Sequence, residues 1–138
     1  MRIETTTEIA APVSRVWEVT MDVESYPEHT DSMTSVELLD RGPVAVGTKA
    51  KIKQPGQPAK VWTVAIVEPE SRFAWSTKMM GLTMTGWHLL ESSGTGTRNT
   101  LAIEITGAMA KILGPLLRSP INKAITAENE GIKAAATG

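Results

Sequence analysis

The central part of the chain, residues 35–106, is divided into short segments by clusters of glycine and proline. Within each segment apolar and polar residues alternate, which is the two-residue period of a strand with one buried face. Short alternating segments joined by tight turns favour neighbouring antiparallel strands. The pattern therefore predicts six strands in an antiparallel meander. The predicted turns lie at Arg41–Pro43, Gln54–Pro58, Glu68–Ser71, Met80–Gly81 and Ser92–Gly96.

A seventh strand and a helix precede this meander. Residues 2–9 alternate, with Ile3 and Ile9 on the side predicted to be buried. Pro12 then opens a segment with apolar residues at helical spacing, because proline fits a first helical turn that needs no amide donor. The dipeptide Tyr26–Pro27 ends that period, since the residue before a proline is disfavoured in the helical region. We expect a short helix after the first strand, and then a loop with at most one helical turn.

The turn at Met80–Gly81 predicts a register for two of the strands. A two-residue loop there pairs Phe73 with His88 and Trp75 with Gly86, which sets a large side chain against a small one. Met84 and His88 then share the inner face of the sheet, while Trp87 faces outward. A slip of one residue would exchange His88 for Trp87.

The last part of the chain carries a helical stripe of apolar residues that runs from Ile112 to Ile132. Pro115 and Pro120 both lie within it. Because each proline removes a helical hydrogen bond, we expect a short helix to about Leu113, and then a longer one that starts or kinks near Pro120. A helix of about twenty residues is roughly 30 Å long, enough to cross the sheet. The whole pattern predicts an α+β fold.

Composition excludes several functional classes. The chain has 138 residues and a formal net charge of −1, with 14 basic and 15 acidic residues mixed along it, so no basic patch predicts binding to nucleic acid or to an anionic membrane surface. It has no cysteine and no run of about 20 apolar residues, and we expect a cytoplasmic protein that is not inserted in a membrane. The two histidines, His29 and His88, are far apart and no metal-binding or nucleotide-binding motif accompanies them. Neither a metal nor a cofactor is expected.

Several short motifs, in order along the chain, carry a resemblance to a known superfamily. They are Ile9–Pro12 with Val16–Trp17, Tyr26–Glu28, Gln54–Gly56 with Trp62–Val64, Glu68–Pro69 with Arg72–Trp75, and Gly96–Arg98. In this order and spacing the chain resembles the START-like, or SRPBCC, superfamily, which includes the polyketide cyclase/dehydrase and lipid-transport family. The resemblance implies a helix-grip fold, in which a seven-stranded curved antiparallel sheet wraps a long C-terminal helix and encloses a cavity. It covers residues 1–138 as one ligand-binding domain. Two positions depart from the pattern, since His29 stands where tryptophan is frequent and Asn99 stands where an aliphatic residue is frequent.

The candidate ligand-binding residues are the wide apolar side chains of the inner face, together with two polar ones. They are Tyr26, Met33, Trp62, Phe73, Trp75, Met84, His88, Asn99, Leu101, Leu113, Leu117 and Ile121. Each could instead belong to an ordinary packed core. His88 and Asn99 are predicted to be the interior polar groups, able to orient a ligand carbonyl or hydroxyl. The lysines of the third strand and Lys60 are expected on a solvated face.

Three functions fit these observations. The favoured one is binding of a hydrophobic small molecule of polyketide, lipid or isoprenoid type, because few ionisable residues are predicted on the inner face. The second is a polyketide cyclase or dehydrase that uses the same cavity, with His88 or His29 moving a proton. The third is a partner-binding domain resembling Hsp90 activators, for which an exposed Trp87 would be the best support. We expect a monomer or a weak homodimer.

Overall fold

The computed structural model describes residues 1–138 and contains seven strands and three α-helices. The strands are β1 (Arg2–Ile9), β2 (Ser35–Leu38), β3 (Lys49–Lys53), β4 (Lys60–Glu68), β5 (Arg72–Met79), β6 (Leu82–Ser93) and β7 (Gly96–Thr106). The helices are α1 (Val13–Met21), α2 (Tyr26–His29) and α3 (Ala110–Thr137), with a 3₁₀ turn at Val23–Ser25. The predicted number and order of strands are confirmed.

All seven strands form one antiparallel sheet. Its order is β1-β7-β6-β5-β4-β3-β2, so every consecutive pair from β2 to β7 is adjacent and β1 joins the far edge against β7. In β4 the pairing with β5 shifts between Val64 and Ile66, which leaves Ala65 as the extra residue of a bulge. A bulge increases the local twist of a strand. The sheet therefore curves, and its concave face receives α3.

The register predicted for the Met80–Gly81 hairpin is confirmed. Phe73 pairs with His88 and Trp75 pairs with Gly86. Both turn residues have positive φ, 50° at Met80 and 76° at Gly81, as the commonest two-residue hairpin turn requires. A Cβ at Gly86 would lie 3.3 Å from the Trp75 ring, so glycine at this position leaves room for the indole. This register directs His88 into the interior.

The prediction of a separate short helix that ends near Leu113 is wrong. A single helix, α3, runs from Ala110 to Thr137 and contains both Pro115 and Pro120. Each proline frees the carbonyl four residues earlier in the helix. Because both prolines are exposed, this end of the helix borders solvent, and water can replace the missing hydrogen bonds.

The region before Pro27 also differs from the sequence-based expectation. Tyr26 has helical dihedral angles, φ −52° and ψ −43°, although a residue before a proline is disfavoured in that region. Its side chain is fully buried, and its hydroxyl donates a 2.6 Å hydrogen bond to the Thr20 carbonyl oxygen. These tertiary contacts outweigh the local preference, and α2 forms the single helical turn that was expected.

The core has two parts. One lies between α1, α3 and the strands β1, β6 and β7, and includes Ile9, Val16 and Ile132. The other lies under β3, β4 and β5 and includes Tyr26, Trp62 and Phe73. No helix is long and apolar enough to cross a membrane.

Candidate functional site

A cavity of about 150 Å³ lies between the concave face of the sheet and the middle of α3. Fourteen of the 21 residues that line it are hydrophobic, so its walls are largely apolar. An apolar cavity of this volume is large enough for one benzene-sized group. Two lining residues, Gln57 and Pro120, are exposed at the surface and mark where the cavity opens.

Eight of the twelve candidate residues line this cavity. The sheet contributes Trp62 and Trp75 from neighbouring strands, with Met84, His88 and Leu101 on the next two strands. Helix α3 contributes Leu117 and Ile121, and Met33 lies in the loop before β2. The two-residue period of the strands and the stripe on α3 place these side chains on facing surfaces. The sequence pattern thus identifies eight of the 21 residues that line the cavity.

Two aromatic candidates lie behind the cavity wall. Phe73 is fully buried, with its ring centroid 5.0 Å from that of Trp75 and 5.5 Å from that of His88. The Tyr26 ring lies 6.0 Å from the His88 ring. Neither residue lines the cavity. They pack against the imidazole and the indole and thereby hold the rings that do.

Asn99 and Leu113 also lie outside the lining. The Asn99 side-chain amide donates a 2.8 Å hydrogen bond to the Asn129 side-chain oxygen. Asn129 in turn donates to the Asn99 and Thr5 carbonyl oxygens, at 3.2 Å and 3.3 Å. Leu113 packs against the core beside β1 and α1. The expectation that Asn99 is an interior polar group of the cavity is wrong, because its amide is used to attach α3 to the sheet.

The second interior polar group is instead Glu128, which sequence reasoning missed. Its carboxyl oxygen Oε1 lies 3.7 Å from Nε2 of His88, and both residues line the cavity. Only 3% of the His88 side chain and 11% of the Glu128 side chain are exposed. The signal was in the helical stripe, since Glu128 follows Ile121 by seven residues and Ile125 by three. A carboxyl at that spacing must share the buried face.

Burial shifts the protonation of this pair in opposite directions. Removal from water disfavours the charged form of each group. It lowers the pKa of His88 to about 4 and raises the pKa of Glu128 to about 7. Burial, followed by the charges of Glu128 and Asp22, also raises the pKa of Tyr26 well above its ordinary value. Near neutral pH, His88 is therefore uncharged, while Glu128 is divided between its protonated and ionised forms.

Some residues of the cavity wall have buried polar atoms that lack hydrogen-bond partners. Nδ1 of His88 and Nε1 of Trp62 are buried and have no hydrogen-bond partner within the protein. A distance of 3.7 Å is too long for a direct hydrogen bond between His88 and Glu128. Buried polar groups normally have partners, so unpaired ones beside a cavity point to a ligand or ordered water. The residues of the cavity wall thus include hydrogen-bonding atoms that the protein itself does not use.

A polar rim lies on the sheet side of the opening, and the sequence reading did not identify it. Gln54, Gln57 and Lys60 line the cavity there, and the Lys60 ammonium donates a 2.5 Å hydrogen bond to the Gln57 side-chain oxygen. Partial burial, together with the nearby charge of Lys53, lowers the pKa of Lys60. Lys60 was expected on a solvated face, but the turn before β4 brings it to the rim.

His29 and Trp87 differ from their expected environments. His29 lies outside this cavity and borders a separate polar surface depression beside α1, with Asp22 and Glu28. Burial lowers the pKa of His29, against the opposing effect of those two carboxylates. Trp87 is half-buried, and the Arg72 guanidinium lies 5.9 Å from the centre of its ring. The exposed tryptophan expected for partner binding is therefore not found.

No three histidine, aspartate or glutamate side chains are grouped in a way that could hold a metal ion. The residues on the cavity wall are instead suited to apolar contact and to hydrogen bonding with proton exchange.

Comparison with known proteins gives one family match and many structural matches. The family model described as polyketide cyclase / dehydrase and lipid transport matches residues 1–137. No curated protein sequence matches the chain.

Three solved structures illustrate the structural similarity. A Thermus thermophilus protein superposes with a TM-score of 0.80 at 16% identity, covering 99% of this chain and 97% of that one. The Zhui aromatase/cyclase of a Streptomyces species gives a TM-score of 0.75 at 19% identity, with 99% and 93% covered. A START superfamily protein of Mycobacterium smegmatis gives 0.79 at 12% identity, with 99% and 97% covered. At these identities the likeness establishes the fold.

Proposed function

Because the chain belongs to the polyketide cyclase/dehydrase and lipid transport family, we propose that it binds one hydrophobic small molecule in the cavity between the sheet and α3. The ligand is of polyketide, lipid or isoprenoid type. The observation that carries this proposal is the largely apolar cavity with a buried polar pair, His88 and Glu128, on its wall. This combination of apolar walls and a few placed polar groups is typical of small-molecule sites.

The size of the cavity indicates how such a ligand is held. A volume of about 150 Å³ accommodates one ring or a branched chain end. A larger ligand extends through the opening between Gln57 and Pro120 to the polar rim. Burial of roughly 200 Å² of ring surface at about 25 cal/mol per Å² stabilises the complex by about 5 kcal/mol. A one-ring fragment therefore binds in the high-micromolar to millimolar range, and the rest of the natural ligand supplies the remaining affinity.

The test uses p-cresol, a single ring with one hydroxyl, as a probe that fits this volume. Its binding is followed by the NMR signal of the Trp62 indole N–H, assigned with a Trp62→Phe variant. The variant Ala124→Phe places a ring in the cavity, since Ala124 lines it. The matched control is Ala127→Phe, at an exposed position of the same helix.

We expect p-cresol binding to be at least about tenfold weaker in A124F and unchanged in A127F. Equal binding in the two variants would place the ligand elsewhere and contradict the proposal. Native mass spectrometry of the protein purified from cells then identifies any natural ligand. A124F should lose that mass, while A127F should retain it.

A second candidate function is catalysis, and the His88–Glu128 pair is the observation that favours it. A general acid or base is most effective when its pKa lies near the working pH, and burial raises the pKa of Glu128 to about 7. Glu128 can take a proton from a methylene group between two carbonyls, as cyclisation of a polyketide chain requires. Uncharged His88 can donate a hydrogen bond to the carbonyl oxygen. The proton-moving residue in this candidate is Glu128, not His88 or His29 alone.

The catalytic candidate is tested with a linear poly-β-ketone thioester. Glu128→Gln should abolish turnover while p-cresol binding persists, and His88→Gln should lower turnover. His29→Gln is the control, because His29 lies outside the cavity. Full turnover by the E128Q variant would rule out this role, and the binding function would stand without it.

A further inference from the structure

The first half of α3 exposes apolar side chains on its outer surface. Ile112 is 63% exposed and Leu116 is 72% exposed. The two residues are four apart on one helix and therefore lie on the same face. Such large side chains are usually covered in a folded protein, so two neighbouring exposed ones define a surface that needs explanation.

The β5–β6 turn extends this apolar surface. Met80 is 72% exposed at the tip of the turn. The adjacent Gly81 accepts a 3.4 Å hydrogen bond from the backbone amide of Met109, just before α3. A Cβ at Gly81 would lie 2.8 Å from Cγ of Met109, so the turn and the start of α3 are in close contact. Met80 and the first turns of α3 thus belong to the same end of the molecule.

The exposed charges on the first half of α3 have one sign. Lys111, Arg118 and Lys123 are all exposed, and no acidic residue occurs between Glu104 and Glu128. The chain as a whole has a net charge of −1, and the expectation of evenly mixed charges is wrong for this segment, where positive charge is concentrated. We call this surface the cationic edge. It consists of Met80, Lys111, Ile112, Leu116, Arg118 and Lys123.

The cationic edge leads to the opening of the cavity. Ile112, Leu116 and Pro120 follow each other at four-residue spacing, so they form one strip along the helix. Pro120 borders the cavity, and Leu117 and Ile121 on the adjacent face line it. An apolar path therefore runs along α3 from the exposed strip to the cavity opening.

We propose that the cationic edge docks on an anionic lipid membrane surface. Exposed apolar side chains flanked by lysine and arginine are the pattern by which a helix lies in the interface of a bilayer with anionic lipids. A second copy of this chain is disfavoured as the occupant, because a twofold dimer would bring the same three cations of both copies together. Docking requires no membrane-spanning helix and does not depend on which molecule the cavity holds.

The test measures co-sedimentation of the whole protein with lipid vesicles. One set contains equal parts phosphatidylcholine and phosphatidylglycerol, and the other contains phosphatidylcholine alone. Binding should occur to the anionic vesicles at low salt and be lost at about 1 M salt, where the Debye length is only about 3 Å. Equal binding to the two sets of vesicles, or binding to neither, would overturn the proposal.

Two sets of variants measure separately what the basic residues and the apolar strip contribute to vesicle binding. K111Q/R118Q/K123Q should weaken binding about 100-fold, since each basic residue near an anionic surface contributes about fivefold. I112S/L116S should weaken it by at least about tenfold. The controls are K49Q/K51Q in β3 and V46S in the loop before it, at exposed positions toward the opposite side of the sheet. Both should bind like the wild type, and an equal loss in the controls would contradict the assignment.

Thermal unfolding by circular dichroism checks that each variant is folded. Size-exclusion chromatography of the free protein tests the alternative that a second copy of the chain covers this surface. If I112S/L116S converts a wild-type dimer into a monomer, the surface is an interface between copies and the membrane proposal is refuted.

Discussion

Replacing Glu128 by glutamine is predicted to stabilise the protein above neutral pH. Burial raises the pKa of this carboxyl from an ordinary value of 4.5 to about 7. Each pKa unit corresponds to about 1.4 kcal/mol of free energy. Ionised Glu128 therefore lowers the free energy of unfolding by about 3 kcal/mol at about pH 8. Glutamine has nearly the same shape and no charge, so Glu128→Gln removes this cost.

Glu128 and His88 affect the pH dependence of the wild-type free energy of unfolding in opposite directions. Between about pH 4.5 and pH 7 the folded protein retains the Glu128 proton that the unfolded chain releases, so stability falls as pH rises. Burial lowers the pKa of His88 from 6.5 to about 4. Between these values the unfolded chain holds a proton that folded His88 lacks, so stability rises with pH. The two slopes oppose each other, and their contribution to the wild-type profile is nearly flat from about pH 4.5 to 6.5.

Single substitutions should reveal separately how each group makes the free energy of unfolding depend on pH. In E128Q the contribution of His88 to the free energy of unfolding should rise by about 3 kcal/mol between about pH 4 and 6.5, because the opposing effect of Glu128 is gone. In His88→Gln the contribution of Glu128 should fall by about 3 kcal/mol between about pH 4.5 and 7, because the opposing effect of His88 is gone. Urea unfolding followed by tryptophan fluorescence at a series of pH values measures both profiles.

Glu130→Gln is the matched control, since Glu130 is exposed on the same helix. It should follow the wild-type profile within about 0.5 kcal/mol. If E128Q is no more stable than the wild type at about pH 8, ionised Glu128 carries no burial cost and the reasoning fails.

Three further substitutions test the packing around the cavity. Phe73→Ala empties a fully buried site and should lower the free energy of unfolding by about 3–5 kcal/mol in urea, and a loss under about 1 kcal/mol would mean that this ring is not packed. Tyr26→Phe leaves the buried Thr20 carbonyl without its donor and should cost about 1–3 kcal/mol in the same assay, so an unchanged midpoint would contradict that hydrogen bond. Gly131→Ala brings a Cβ against the His29 carbonyl oxygen and should lower the thermal midpoint measured by circular dichroism by several degrees, whereas an unchanged midpoint would show that α2 and α3 are not in contact there.

The sheet was predictable because its signals are local. A two-residue turn at Met80–Gly81 and strict alternation in β5 and β6 allow one register that buries the apolar side chains, and that register is observed. The apolar stripe predicted the long C-terminal helix, and the family resemblance added the cavity, which the strand pattern does not contain. Together they placed Trp62, Trp75 and His88 on the face that lines the cavity.

The errors arise where the environment of a side chain depends on residues that are distant in the sequence. Asn99 was correctly placed on the inner face, but its amide meets Asn129, and only the docking of α3 on the sheet brings the two together. Pro115 and Pro120 were treated by the local rule for helix interiors, which takes no account of their exposed environment. Glu128 was overlooked because the helical stripe was traced through apolar residues alone.

The attachment of α3 divides the helix into two parts with different freedom to evolve. The second half carries Asn129, which is hydrogen-bonded to two strands, and substitutions there disturb the fold itself. The first half carries Leu117 and Ile121, which contact the cavity next to two helix-weakening prolines. Changes at these two positions alter the shape of the site without removing the hydrogen bonds that attach the helix to the sheet. One end of the helix can therefore diversify toward new ligands while the other preserves the architecture.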